Sequence, residues 1–218
     1  TQTEGRGRAG RTWSSPVGGL WLSIILKPNI EPMIAHQITF IASVAVVTAI
    51  GEFCPNPAPR IKWPNDILLG GKKVGGILID IASQGRTLEY VVCGIGINLT
   101  IDPDHFSPEV SNIATSLATV LPPGTNISRD AFLKSLLREF EVYYQLWRQQ
   151  GFQPILKKWK TLSDIIGCEV HVEDPPKDPM DGTVVDIDNS GALLVRTSKN
   201  ELHVISSGTV IIKERGIW

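Results

Sequence analysis

Between Arg60 and Leu99 the chain alternates short apolar runs with turn signals, and this pattern limits the fold more than any other feature. Arg60-Ile61-Lys62-Trp63 is extended, because Pro64 disfavours helical geometry in the residue before it. Pro64-Asn65-Asp66 turns the chain, Ile67-Leu68-Leu69 continues it, and Gly70-Gly71 makes a hairpin turn. Val74 to Ile81 is the next strand; Gln84-Gly85-Arg86 then turns into Leu88 to Leu99. Strands linked this closely form a meander, since parallel neighbours need a crossover of a dozen or more residues.

Other elements flank the meander. Gly19 to Leu26 is strand-like and ends at Lys27-Pro28. A helix capped by Glu31, with Pro32 at its first position, carries Ile34, Ile38, Ile41, Ala42, Ala45 and Ala49 at helical spacing, with Gly51 near its end. A second helix runs from about Arg129 to Trp147, with Leu133, Leu136, Leu137, Phe140, Tyr144 and Trp147 as its buried stripe. Beyond Ile165 come short β runs: Glu169 to Glu173, Thr183 to Ile187, Ala192 to Thr197, Leu202 to Ile205 and Thr209 to Lys213. The expected fold is α+β, a mixed or antiparallel sheet with helices over residues 1–164, followed by a small β-barrel over 165–218. A chain of 218 residues, 42% of them hydrophobic, suffices for that core and appendage.

A formal charge of −1 argues against a general nucleic-acid binder or a polybasic membrane protein. Cys54, Cys93 and Cys168 are odd in number and far apart, as in a reduced cytosolic protein. The longest apolar stretch, Ile38 to Ile50, is too short to span a bilayer. The chain starts at Thr1 with no initiator Met, so removal of an upstream piece is expected.

Chemistry concentrates in Gly5-Arg6-Gly7-Arg8-Ala9-Gly10-Arg11-Thr12-Trp13 and in Lys62-Trp63-Pro64-Asn65-Asp66. Glycine lets backbone approach a ligand, and each guanidinium offers a planar fork of donors for carboxylate or phosphate. The Gly5-x-Gly7-x-x-Gly10 spacing matches a dinucleotide fingerprint, but Ser14-Ser15-Pro16 and Gly18-Gly19 follow where a helix would have to open. The Gly70-Gly71-Lys72-Lys73 run lacks the Ser/Thr of a P-loop and reads as a solvated turn. Gly94 and Gly96 lie inside a strand and Gly75 and Gly76 in the preceding one. They mark either a bulge or a slot free of side chains for a flat or extended ligand. His36, His105, His171 and His203 have no ligand spacing, and neither a hydrolytic triad nor a metal motif is present; no metal site is expected.

Three segments in order resemble the biotin–protein ligase family: G-R-G-R-A-G-R-T-W at Gly5 to Trp13, K-W-P-N-D at Lys62 to Asp66, and G-I-G-I-N-L at Gly94 to Leu99. The resemblance covers nearly the whole chain and implies a class II synthetase-like ligase core with a C-terminal SH3-like barrel. It implies that biotin attacks Mg-ATP to give biotinyl-5′-AMP, and that the acyl group then passes to a lysine of a biotin carboxyl carrier protein of acetyl-CoA carboxylase. Lys62 and Arg8 would be catalytic, with Lys62 on the biotin carboxylate and α-phosphate. Gln2, Gly5, Arg6, Gly7 and Arg8 would form the loop over the adenylate, and Trp13 would pack at its base. Gly76, Gly94 and Gly96 would line the biotin slot, and Asn98 would face the nucleotide. Mg2+ would come with ATP, the location would be cytoplasmic, and exposed strands could support a homodimer. The family's upstream Ser-Thr-Asn segment, which contacts the ureido end of biotin, is absent from these residues. A lipoate or octanoate ligase or transferase of similar architecture is the alternative enzyme. A non-catalytic module binding anions or RNA is the alternative of another class.

Overall fold

The computed structural model describes residues 1–106, 108–122, 124–174 and 176–214. Strand β1 (Gly19–Leu26) leads through a 3-10 turn at Pro32–Ile34 into helix α1 (Gln37–Phe53). The meander follows as β2 (Arg60–Lys62), β3 (Asp66–Leu69), β4 (Lys72–Gln84) and β5 (Thr87–Asn98). These strands form one antiparallel sheet in the order β1-β5-β4-β3-β2, so the first strand closes onto the last of the meander. In its central pairing, Gly76 stands opposite Gly96.

α1 begins later than its pattern suggests. Pro32 opens only the 3-10 turn, and the helix proper starts at Gln37 after His36. It is buried on nearly every side, from Ile38 to Ile50, because the sheet lies against one face and two later helices against the others. An amphipathic stripe is therefore absent. The segment Pro32–Phe53 is apolar and long enough to cross a membrane, yet 72% of its most apolar window is buried within the protein.

Short helices α2 (Pro108–Ser111) and α3 (Leu117–Val120) precede α4 (Arg129–Gln150) and α5 (Phe152–Leu162). Ser128 caps α4 by accepting the Ala131 N–H, and Gly151 ends it at φ 76°. The buried residues of α4 are Phe132, Ser135, Leu136, Phe140 and Trp147. Leu137, expected in that stripe, is 42% exposed, since the face turned to α1 is centred one position earlier. Phe132 is fully buried against Phe53, so Phe132→Ala would cost about 3–5 kcal/mol.

Strands β6 (Glu169–Glu173), β7 (Met180–Ile187), β8 (Leu193–Arg196), β9 (Leu202–Ile205) and β10 (Thr209–Glu214) form a second antiparallel sheet, ordered β10-β6-β7-β8-β9. Val170, Val172, Val184, Val195 and Val210 are buried on its inner face, the alternation a half-buried strand requires.

Candidate active site

The Gly/Arg segment is itself a small hairpin. Gly7 N–H donates to Arg11 O at 2.7 Å and Trp13 N–H to Gly5 O at 2.8 Å, around a tip where Ala9 and Gly10 take φ of 52° and 73°. A Cβ on Gly5 would stand 2.2 Å from Trp13 O, so the closure demands glycine there.

The hairpin covers a cavity of about 940 Å³ between the two sheets, near the upper end of the usual range for small-molecule sites. Gln2, Arg6, Gly7, Arg8, Trp13, Lys62, Gly76, Gly94 and Gly96 all line it. The three guanidiniums reach different walls. Arg6 donates to Asp80 at 3.2 Å at the solvent edge, Arg8 to Asn65 Oδ1 at 3.2 Å, and Arg11 to Thr209 Oγ1 at 2.8 Å on the second sheet. Burial lowers the pKa of Arg8, against the opposing pull of Asp66 and with a further push down from Arg11. An arginine stays charged through such a shift.

Two of the expected residues lie outside the cavity lining. Gly5 is buried behind the hairpin. Asn98 is 5% exposed and its amide donates to Thr115 O at 2.9 Å, which holds the end of β5 to the following loop.

The glycine slot exists but is divided. The indole of Trp13 lies over Gly76 and Gly96, where an added Cβ at either would meet the ring at 3.0 Å. Trp21 packs edge-on to that indole at 6.3 Å. Gly94 is the open part: its nearest would-be neighbour is Leu78 O at 3.4 Å, and Leu22, Ser23 and Val92 line the same space. The Trp13 indole N–H is buried without a partner among the described residues.

Lys73 corrects the reading of Gly70 to Lys73 as a solvated turn. Gly70 and Gly71 do make the turn, but Lys73 belongs to β4 and lines the cavity. Its backbone is gripped on both sides: Lys73 N–H donates to Ile113 O at 2.7 Å, and Lys73 O accepts from Thr115 N–H at 2.9 Å. A register shift leaves Val74 as the extra residue between Lys73, opposite Leu68, and Gly75, opposite Ile67. The ammonium stands 5.0 Å over the Trp13 ring and 2.6 Å from Asp66 Oδ1. Its signal in the sequence was position, three residues before Gly76 in the same strand.

The second sheet supplies a wall that no motif announces: Glu173, Asp174, Ser207, Gly208, Thr209 and Val210 face the same cavity. Ile113, 61% exposed, adds an apolar patch beside Lys73. Together the elements make a concave site with cations on one side, a side-chain-free floor at Gly94 and apolar surface at Trp13 and Ile113. Such a site suits an anion joined to an apolar or flat body. Among the described residues no group of three or more His, Cys, Asp or Glu is placed to hold a metal ion.

Comparison with known proteins agrees with that geometry. A family model described as the biotin/lipoate A/B protein ligase family matches residues 1–98, and one for the biotin protein ligase C-terminal domain matches residues 165–213. The chain is 37% identical over 207 residues to the bifunctional ligase/repressor BirA of Bacillus subtilis, covering 94% of this chain and 62% of that relative's length. It is 35% identical to a biotin–[acetyl-CoA-carboxylase] ligase of Paracoccus denitrificans, over 89% of this chain and 81% of the relative. Among solved structures, a biotin protein ligase of Aquifex aeolicus in complex with biotin and ATP superposes with a TM-score of 0.82 at 26% identity, covering 98% of this chain and 86% of that one.

Proposed function

The chain belongs to the biotin protein ligase family, and from that membership and the cationic cavity we propose that the protein activates biotin with ATP and transfers it to a lysine of a biotin carboxyl carrier protein. A carboxylate oxygen of biotin attacks the α-phosphorus of ATP, the bond to the β-phosphate oxygen breaks, and pyrophosphate leaves. The neutral ε-amine of the carrier lysine then attacks the acyl carbon of the adenylate, AMP leaves with the bonding electron pair, and the amine loses a proton to become an amide.

The observation that carries this reading is the meeting of Lys73 and Arg8 with the open floor at Gly94 in one cavity. Two anions repel as they approach, and fixed cations in a site of low water content oppose that repulsion and the charge that builds on the α-phosphate. Lys73 is best placed for the biotin carboxylate, with Lys62 and Arg8 completing the positive wall; its ammonium has three donors, and the contact with Asp66 leaves two of them for the substrate. The biotin ring system lies over Gly94, and Ile113 gives the adenine an apolar face. The Gly/Arg hairpin, with Gln2, Arg6 and Gly7 in the cavity lining, shields the adenylate from water. Magnesium arrives on the phosphates of ATP.

Residues 1–164 act as the biotin and ATP domain and 165–218 as a second domain that closes its far wall. The setting is the cytoplasm, where ATP and the carrier are found, and the edge strand β1 gives a homodimer a place to form. The test is biotin-dependent exchange of pyrophosphate into ATP by the full-length protein. Exchange that saturates with biotin is expected. Exchange with lipoate in place of biotin would move the assignment to the lipoate branch, and none with either would end it.

A further inference from the structure

The second sheet touches the first at a point that no motif marks, the turn between β7 and β8. Asp188 organises this turn: its Oδ1 accepts Ser190 N–H at 2.8 Å, Ser190 O–H at 2.7 Å and Ala192 N–H at 3.0 Å. Burial pushes its carboxyl up, but the hydrogen bonds from Ser190, Ala192 and Gly191 outweigh that and hold it below the ordinary range. Gly191 sits at φ 90°, and a Cβ there would lie 2.6 Å from the Phe40 ring. The turn is therefore pressed against α1, where His36 Nε2 also stands 2.7 Å from Ser190 O.

The partner on the other side is Trp63. It is 2% exposed, and its indole N–H donates to Gly191 O at 3.0 Å, a hydrogen bond spanning 128 residues of sequence. Trp63 lies in the middle of the segment Lys62 to Asp66, every residue of which, Trp63 included, lines the cavity. Asn65 carries the constraint onward, donating to Ile77 O at 2.8 Å and accepting from Arg8. We propose that the Asp188–Ala192 turn is a positioning element for adenylation: it holds Trp63, and through it sets Lys62, Asn65 and Asp66 against β4 and the Gly/Arg hairpin. The second sheet thus acts on the cavity twice, directly at Thr209 and indirectly through this turn. The inference rests on the ligase reading for its effect on activity, but not for its effect on structure.

The test compares Asp188→Ala, Asp188→Asn, Trp63→Phe and the Asp188→Ala/Trp63→Phe double variant in the full-length protein. Pyrophosphate exchange and amide hydrogen exchange over residues 60–66 are both read. About a tenfold fall in kcat is expected for Asp188→Ala and for Trp63→Phe, because small misplacements of catalytic groups are costly. Asp188→Asn, which keeps an acceptor oxygen, should recover most of the loss. The double variant should be no worse than the poorer single one, since both act through one contact. Amides of 60–66 should exchange faster in each impaired variant while those of α4 keep their protection. Unchanged kcat and unchanged 60–66 protection, whatever happens to Tm, would overturn the proposal, and so would losses that multiply in the double variant. If Asp188→Ala does not fold, Trp63→Phe decides by the same two readouts. If the wild-type protein shows no pyrophosphate exchange the ligase reading fails, and the amide measurement still judges the positioning claim.

Discussion

Both sheets place glycines inside strands, and the reasons differ. In the second sheet, a Cβ on Gly182 would lie 2.6 Å from Arg196 O and 2.7 Å from a Val195 methyl, so the neighbouring strand excludes a side chain there. In the first, Gly94 meets nothing closer than 3.4 Å and faces the cavity, while Gly76 and Gly96 make room for the Trp13 ring. One glycine is required by packing against the neighbouring strand, and the other borders open cavity. Charges divide the same way. Around the second sheet they pair at the surface, as Lys160 with Asp186 and Lys213 with Asp181. Around the first, Arg8, Lys62 and Lys73 are partly buried and turned to one cavity, and of these three only Lys73 is in an ion pair among the described residues, with Asp66. A site is therefore marked by groups whose space or charge the protein itself only partly uses.

The strongest way to break this contrast is to remove a cation from the cavity. Lys73→Ala should lower the rate of biotin-dependent pyrophosphate exchange about a hundredfold, the scale for losing one preorganised donor to a developing charge. Lys62→Ala should cost less, because Lys73 is the cation placed over Trp13 and beside the glycine strands. Equal losses in the two variants would erase the distinction drawn between them, and a near-wild-type rate for Lys73→Ala would remove it from the reaction.

A smaller effect is expected from filling the two kinds of glycine. Gly94→Val should keep thermal stability near wild type and weaken biotin binding by at least about tenfold, since the added methyls occupy open floor. Gly182→Val should do the reverse, destabilising the fold by about 1–3 kcal/mol through overpacking and leaving biotin affinity unchanged. Titration calorimetry and thermal unfolding on the same preparations separate the two. A Gly94→Val protein that binds biotin normally would mean that the ligand lies elsewhere in the cavity.

Much of this was legible in the sequence because local rules agreed with the tertiary outcome. The meander appears where Pro64, Gly70-Gly71 and Gly85 place its turns, and β6 and β9 coincide with their expected runs. The Gly/Arg hairpin and Lys62 face one cavity, as their chemistry suggested. What escaped was set by long-range packing. α5 is the exception, because Phe152, Ile155, Leu156 and Trp159 stand at helical spacing and their pattern was legible directly after Gly151 ends α4. Lys73 looked like part of a turn, since nothing local reveals that the segment from Ile113 to Thr115 returns to pair with it. The placement of Trp13 across Gly76 and Gly96, and the wall given by Ser207 to Val210, depend on contacts that neither segment can announce alone.

The surface charges of the second sheet permit the mildest test. Lys160 Nζ lies 2.6 Å from Asp186 Oδ1, and this pairing lowers the carboxyl pKa; burial opposes it and the Ile187 N–H adds to it. A carboxyl held lower in the folded state than its ordinary 3.8 contributes stability that is fully present above that value and lost as pH falls through the folded one. Because the Asp186 side chain is 51% exposed, solvent screens the pair and its contribution is at most about 1 kcal/mol. Lys160→Met should move the Asp186 titration, followed by NMR of the side-chain carboxyl, back up toward 3.8. The stability gap between variant and wild type should then be constant at neutral pH and close on acidification. A gap that persists at pH 2 would assign the effect to lost packing of the lysine stem on α5, and the surface pairs of the second sheet would no longer be purely electrostatic counterparts to the cavity cations of the first.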